Sequence, residues 1–164
     1  MGWTVGGPDD GVDWLTTPDY GADTGIHAVD LQRTLNSSIA TVIPTITGNV
    51  YELSFGTTAW VDVPNGNKGK VSAGSLVNQT FTAPLSSALS TQTFTPFAFL
   101  FTATGPTTTI QFTANGTQCC YGPVIDSVSV AAVPEPGTIL LLGTGLVSVL
   151  GYGWRRRNRR SDSV

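Results

Sequence analysis

The sequence predicts an all-β fold, a jelly-roll β-sandwich, followed by one C-terminal transmembrane helix. Three observations predict it. Residues 1–132 alternate apolar and polar positions in short runs separated by Gly, Pro and Asn, the pattern of half-buried strands joined by turns. Asp, Glu, Lys and Arg make up only 12% of the chain, which suits a Thr- and Val-rich extracellular β domain better than a helical cytosolic enzyme. An uncharged apolar run at 138–154 ends on a cluster of arginines.

The elements follow in order. Residues 28–31 (Ala-Val-Asp-Leu) form a short strand, and 38–43 (Ser-Ile-Ala-Thr-Val-Ile) form another. Thr47, Gly48 and Asn49 turn the chain into 50–55, where Val-Tyr-Glu-Leu-Ser-Phe alternates with period 2. Residues 64–69 have the composition of a hairpin loop, and 70–77 follow as a strand. The run 97–103 places Phe97, Phe99 and Phe101 on one face. Residues 107–113 turn Ile110 and Phe112 inward, and 124–130 close the series. About eight to ten strands at this spacing indicate a sandwich or jelly roll. The domain ends at 132, the motif occupies 133–137, the membrane helix 138–154 and a basic cytoplasmic tail 155–164.

Charge is divided along the chain. Residues 1–133 hold three bases, Arg33, Lys68 and Lys70, against nine acids, a net −6. Residues 134–164 hold five arginines against Glu135 and Asp162, a net +3. A body this acidic excludes nucleic acid as its partner, because phosphate binding needs clustered Lys and Arg. Cys119 and Cys120 are adjacent. Their Cα atoms lie about 3.8 Å apart, below the usual disulfide span of roughly 4.4–6.8 Å. Two thiols are therefore expected rather than a vicinal disulfide.

The span 138–154 would make a helix roughly 25 Å long at about 1.5 Å per residue, at the short end of what crosses a bilayer. Gly143, Gly145, Gly151 and Gly153 weaken its helicity but are tolerated in lipid, and Tyr152 and Trp154 stand where an interfacial belt would be. Arg155, Arg156, Arg157, Arg159 and Arg160 form a basic stop that places this end in the cytoplasm. Before the span, Pro134 and Pro136 flank Glu135 and keep the segment extended and accessible. Val133, Pro134, Glu135 and Pro136, the span and the arginines together resemble the PEP-CTERM sorting signal. That resemblance implies recognition by exosortase, a membrane protease/transpeptidase. It implies a transient single-pass precursor in the inner membrane and a mature body at the cell surface or outside.

The body also resembles a family. Gly2-Trp3-Thr4-Val5, Val12-Asp13-Trp14-Leu15 and residues 25–31 look like its opening. Residues 45–55, residues 99–104 and the closing Gly122-Pro123-Val124-Ile125-Asp126 continue the likeness. This series is similar to the choice-of-anchor C family, which implies a galactose-binding-like jelly roll and, in many such domains, a structural calcium. That pattern opens with an Asn-Gly-Ser-Phe-Glu-like strand behind a signal peptide. Neither stands in this sequence, and the expectation is that the true start lies upstream.

Candidate chemistry is sparse. His27, the only histidine, sits at a strand edge without a Ser or Cys motif and reads as structural. Asp9, Asp10 and Asp13 are hard oxygen ligands of the kind a calcium ion takes; the alternative is a Gly/Asp turn. Asp126 reads as a structural hydrogen-bonding group. Trp3 and Trp14 are expected in the core, and Trp60 is the candidate exposed ring for a glycan contact. Asn36, Asn78 and Asn115 begin glycosylation-like triplets that arise by chance. The expected function is that of a non-enzymatic, exported surface protein, with exosortase and the inner membrane as its partners and no cofactor. The alternative is a carbohydrate-binding module for exopolysaccharide in a biofilm matrix, and a hydrolase is a remote third.

Overall fold

The computed structural model describes residues 2–8, 11–61, 67–88, 92–117 and 120–134, with 137, 142–145, 147, 148 and 150 of the tail. Among them the body forms ten strands: β1 (Thr4–Gly6), β2 (Asp13–Thr16), β3 (His27–Asp30), β4 (Ser38–Pro44), β5 (Val50–Ala59), β6 (Lys68–Ala73), β7 (Leu76–Thr82), β8 (Thr95–Thr102), β9 (Thr107–Ala114) and β10 (Pro123–Ala132). They make two five-stranded sheets, β1-β4-β9-β6-β7 and β2-β3-β10-β5-β8. Neighbouring strands are antiparallel in both. The chain divides into two compact units, Met1–Ala132 and Val133–Val164.

Period-2 alternation turns one side of each strand inward. β9 reads exposed-buried through Thr107–Ala114, burying Ile110 and Phe112. Phe97, Phe99 and Phe101 of β8 all pack on the core. Phe55 stands at its centre, edge-on to Phe112 at 4.9 Å and to Phe81 at 5.2 Å across the sandwich, and stacked on Phe97 at 5.8 Å. Rings with a negative face and positive edge favour such offset and T-shaped pairs over flat sandwiches. A smaller cluster of Leu15, Ala28, Trp60 and Val124 lies beside it.

The structure corrects several expectations. The strand anticipated at 70–77 is two strands. Gly74, at φ 53°, turns the chain there into the β6–β7 hairpin, a conformation open to glycine and costly for a residue with a Cβ. Of the anticipated 64–69 loop, 64–66 lie outside the described residues, and Lys68 and Gly69 belong to β6. β1 and β2, three and four residues long, are too short to show alternation. Cys120 is disulfide-bonded rather than a thiol, with φ at 78°. Cys119, the chain's other cysteine, lies outside the described residues.

In the tail, residues 137, 142–145, 147, 148 and 150 are helical, and Ser148 Oγ donates to the Thr144 carbonyl at 2.8 Å. Among the described residues no helix is long and apolar enough to cross a membrane. The rest of 138–154, with Glu135, Pro136 and Arg155, Arg156, Arg157, Arg159 and Arg160, falls outside them.

Truncating Phe112 removes a fully buried ring that joins the two sheets. Phe112→Ala is expected to lower the unfolding free energy by about 3–5 kcal/mol, measured by urea denaturation. Val77→Ala, at a side chain 70% exposed, is expected to stay within about 0.5 kcal/mol of the parent.

Candidate functional site

The two sheets do not cover one another evenly. β10 pairs with β5 from Pro123 to Ala132 but with β3 only at Val124 and Ile125. Between Asp126 and Ser129 its register shifts, and such a bulge bends a strand and raises its twist. The other sheet carries β4 and β1 along the same margin. The result is an apolar slot of about 330 Å³ whose lining includes Trp3, Val5, Trp14, His27, Ile125 and Val128. Trp3 and Val128 also line a second apolar cavity of about 370 Å³, with Ile43, Tyr51 and Ile110 among its walls.

Trp14 and Trp3 stand at the mouth. Trp14 comes from β2, opposite Val29 of β3, and is 65% exposed. Its ring lies 5.0 Å from the His27 ring at a 40° tilt, and Thr16 Oγ1 is 3.2 Å from His27 Nδ1. Trp3 is 42% exposed, with its ring 6.1 Å from Phe112. Thr4 Oγ1 donates to the Ala40 carbonyl at 3.1 Å and Thr41 Oγ1 to the Gly2 carbonyl at 3.0 Å, tying this stretch to β4. Both tryptophans were expected in the core. β1 and β2 are the outermost strands of their sheets, and an edge position leaves large rings partly in water.

Asp126 borders the slot and is a clamp. Its Oδ2 accepts from the Asp23 and Thr24 backbone N–H groups at 2.7 and 3.0 Å, and its Oδ1 accepts from Ser127 N–H at 2.6 Å. The Thr24 and Ser127 hydroxyls lie 3.0 Å apart. The loop before β3 is thereby fastened to the bulge, in the structural role expected of this carboxylate.

Trp60 is where the sequence reading is overturned. It is buried, 8% exposed, with its indole N–H donated to Asp30 Oδ2 and its ring edge-on to Tyr20 and Tyr121 at 5.4 and 5.3 Å. It is therefore no exposed platform for a glycan. Asp30 is fully buried, and its Oδ1 accepts from the N–H groups of Gln32 and Gly122 at 2.8 and 2.9 Å. Burial pushes its carboxyl from 3.8 up to about 7, opposed by the three N–H donors and assisted by the charge of Asp13. Gly122 is obligatory here, since a Cβ would come within 2.6 Å of the Gln32 side chain and 2.7 Å of Asp30 Oδ1.

The three carboxylates of the calcium reading are not gathered among the described residues. Asp13 lies 3.8 Å from Arg33 Nε, in a partly exposed ion pair. Asp9 and Asp10 are outside the described set, and no three His, Cys, Asp or Glu side chains within it could hold a metal ion. What the slot offers chemically is flat aromatic surface over an apolar floor, with hydroxyls at its border. The missed element is the slot itself, which depends on how far β3 pairs along β10. No local sequence signal marks that.

The Asp30 shift sets a sign for stability against pH. The folded state holds this proton until about pH 7, whereas the unfolded chain releases it near 3.8. Asp30 therefore favours the fold fully at low pH, and that contribution is lost as pH rises through 4 to about 7. Thermal melts from pH 4 to 8 are expected to show a decline that Asp30→Asn lacks. That variant should be less stable at pH 5 by roughly 1–3 kcal/mol, because its amide points a second donor at an N–H group.

Comparison with known proteins places this geometry. A family model described as "Protein of unknown function (DUF642)" matches residues 2–131. A second, described as the PEP-CTERM protein-sorting motif, matches residues 132–157. A search of curated proteins finds no match. Among solved structures the chain is similar to CBM35 from Paenibacillus barcinonensis, with 21% identity, TM-score 0.55, and coverage of 81% of this chain and 94% of that one. It is similar to a CBM4 module at 18% identity and TM-score 0.54, covering 80% and 86%. It is also similar to TmCBM61, solved in complex with β-1,4-galactotriose, at 14% identity and TM-score 0.52, covering 80% and 88%. Other similar structures come from enzymes. At these identities the likeness establishes the fold, an all-β sandwich matching carbohydrate-binding-module jelly rolls.

Proposed function

The chain belongs to the DUF642 family and ends in a PEP-CTERM protein-sorting motif, and from that premise we propose a non-enzymatic surface protein whose body binds carbohydrate at the Trp3–Trp14 slot. The motif indicates export with processing by exosortase, and sorting to the cell surface or extracellular space. The finer route is part of the proposal. Residues 138–154 cross the inner membrane in a transient precursor, the arginines at 155–160 stay in the cytoplasm, and cleavage falls near Pro134–Pro136. The uncharged run and its basic stop support this orientation.

One observation carries the binding reading. Trp14 is the most exposed tryptophan of the body, held by β2–β3 pairing beside an apolar slot. An exposed indole whose backbone is fixed by a sheet offers a rigid face to a sugar ring at little entropic cost. The sandwich's likeness to carbohydrate-binding modules supports the ligand class. The polymer proposed is exopolysaccharide of the surrounding matrix.

Two outcomes are expected. Retention of the chain on immobilised neutral polysaccharides should identify a binding polymer, and Trp14→Ala should weaken that retention about tenfold, in line with roughly 1–1.5 kcal/mol for a lost stacking contact. Equal retention of parent and variant would remove the slot from the account. Deleting residues 155–160 should leave an unprocessed precursor in the membrane fraction, read as a mass shift on immunoblots.

A further inference from the structure

We infer that the outer face of the β1-β4-β9-β6-β7 sheet binds a carboxylated, acidic polysaccharide. The inference rests on the carbohydrate class proposed above but uses the solvent face of one sheet rather than the slot between the two, so it can fail without taking the slot with it.

The sandwich is polarised in charge. Among the described residues the carboxylates are Asp13, Asp19, Asp23, Asp30, Glu52 and Asp126. Every one lies in a strand of the β2-β3-β10-β5-β8 sheet or in the β2–β3 connection. The strands of the other sheet carry none of them. They carry Lys68 and Lys70 instead, the only lysines in the chain.

Strand parity puts both lysines on the solvent side. Gly69 and Val71, their neighbours in β6, are buried, so Lys68 and Lys70 project from the outer face. The register then builds rows across the sheet. Ser38, Thr113, Lys70 and Thr80 are cross-strand partners through β4, β9, β6 and β7. At about 4.8 Å between strands this row is roughly 14 Å long. Beside it run Ala40, Gln111 and Ser72, and Lys68 faces Thr82. Thr107, Thr109 and Gln111 are exposed along β9. At one end of this face lies a groove of about 330 Å³, lined with polar atoms from Ser72, Thr107, Thr109 and Gln111 among others.

This is a different chemistry from the slot. Hydroxyl and amide groups both donate and accept, matching the hydroxyls of a sugar chain. The two ammonium groups supply charge-assisted hydrogen bonds to carboxylates. Among the described residues of the sandwich, a polyanion is repelled by the acidic sheet and attracted by the two lysines of this face, whereas Arg33 is offset by its ion pair with Asp13, so the field favours this face.

The test is retention of the full chain on immobilised polygalacturonate, with a neutral β-glucan as the parallel arm. The parent should be retained on polygalacturonate at low salt and released as ionic strength rises, because exposed ion pairs are screened. The double variant K68A/K70A should lose at least fivefold on polygalacturonate, keep its melting temperature and keep any retention on the neutral polymer. Lys68→Arg with Lys70→Arg should restore binding, showing that charge rather than packing is read. Equal retention of parent and K68A/K70A would overturn the inference. Retention on the neutral polymer alone would overturn it too, while leaving the Trp14 site standing. Binding to a DNA duplex as strong as to polygalacturonate would also overturn it, reducing the face to a general polyanion patch.

Discussion

The domain depends on how one buried carboxylate is satisfied. Asp30 ends β3 with no solvent around it, and an unpaired charge in such a place is prohibitive. Its two oxygens take N–H groups from three parts of the chain: Gln32 just beyond β3, Gly122 at the entry to β10, and Trp60 just past β5. Leu31 N–H donates to the Pro123 carbonyl at 3.2 Å in the same corner. Strands far apart in sequence are thereby registered at one end of the sheet. The proton that burial keeps on Asp30 toward neutral pH is the electrostatic counterpart of that arrangement.

The same contact decides which aromatic surface reaches water. Once Trp60 is drawn inward to Asp30 and enclosed by Tyr20 and Tyr121, its ring is spent on the smaller core cluster. Trp14, on the outermost strand β2, and Trp3, just before the outermost strand β1, are left beside a gap that β3 does not close. Export and the proposed binding then fall to separate parts of the molecule. Residues 133–164 form their own compact unit and carry the sorting motif, and the sandwich carries the surfaces. This division fits a precursor whose tail is processed while its body is kept.

Much of this was legible in the chain. Alternation located β4, β5, β8 and β9 and turned Phe97, Phe99, Phe101, Ile110 and Phe112 inward, because burial on one side of a strand is a local, period-2 property. The sorting motif was legible because it is contiguous. The tryptophans were read the wrong way round because their burial is not local. Trp60 is held by a residue 30 positions away, and Trp14 is exposed because β2 happens to be an edge. The β6–β7 hairpin was merged into one strand because a single glycine in the left-handed region makes the turn. The state of Cys120 was misjudged on average disulfide geometry, which adjacent cysteines do not meet.

The central claim is that Trp14 and Trp3 face the ligand while Trp60 is locked to Asp30. Following the indole N–H resonances of a ¹⁵N-labelled chain during titration with a retained polysaccharide tests it directly. The Trp14 signal should shift progressively and the Trp3 signal with it, while the Trp60 signal stays in place and exchanges slowly with solvent. A shift confined to Trp60, or no shift at Trp14 at saturation, would contradict the account.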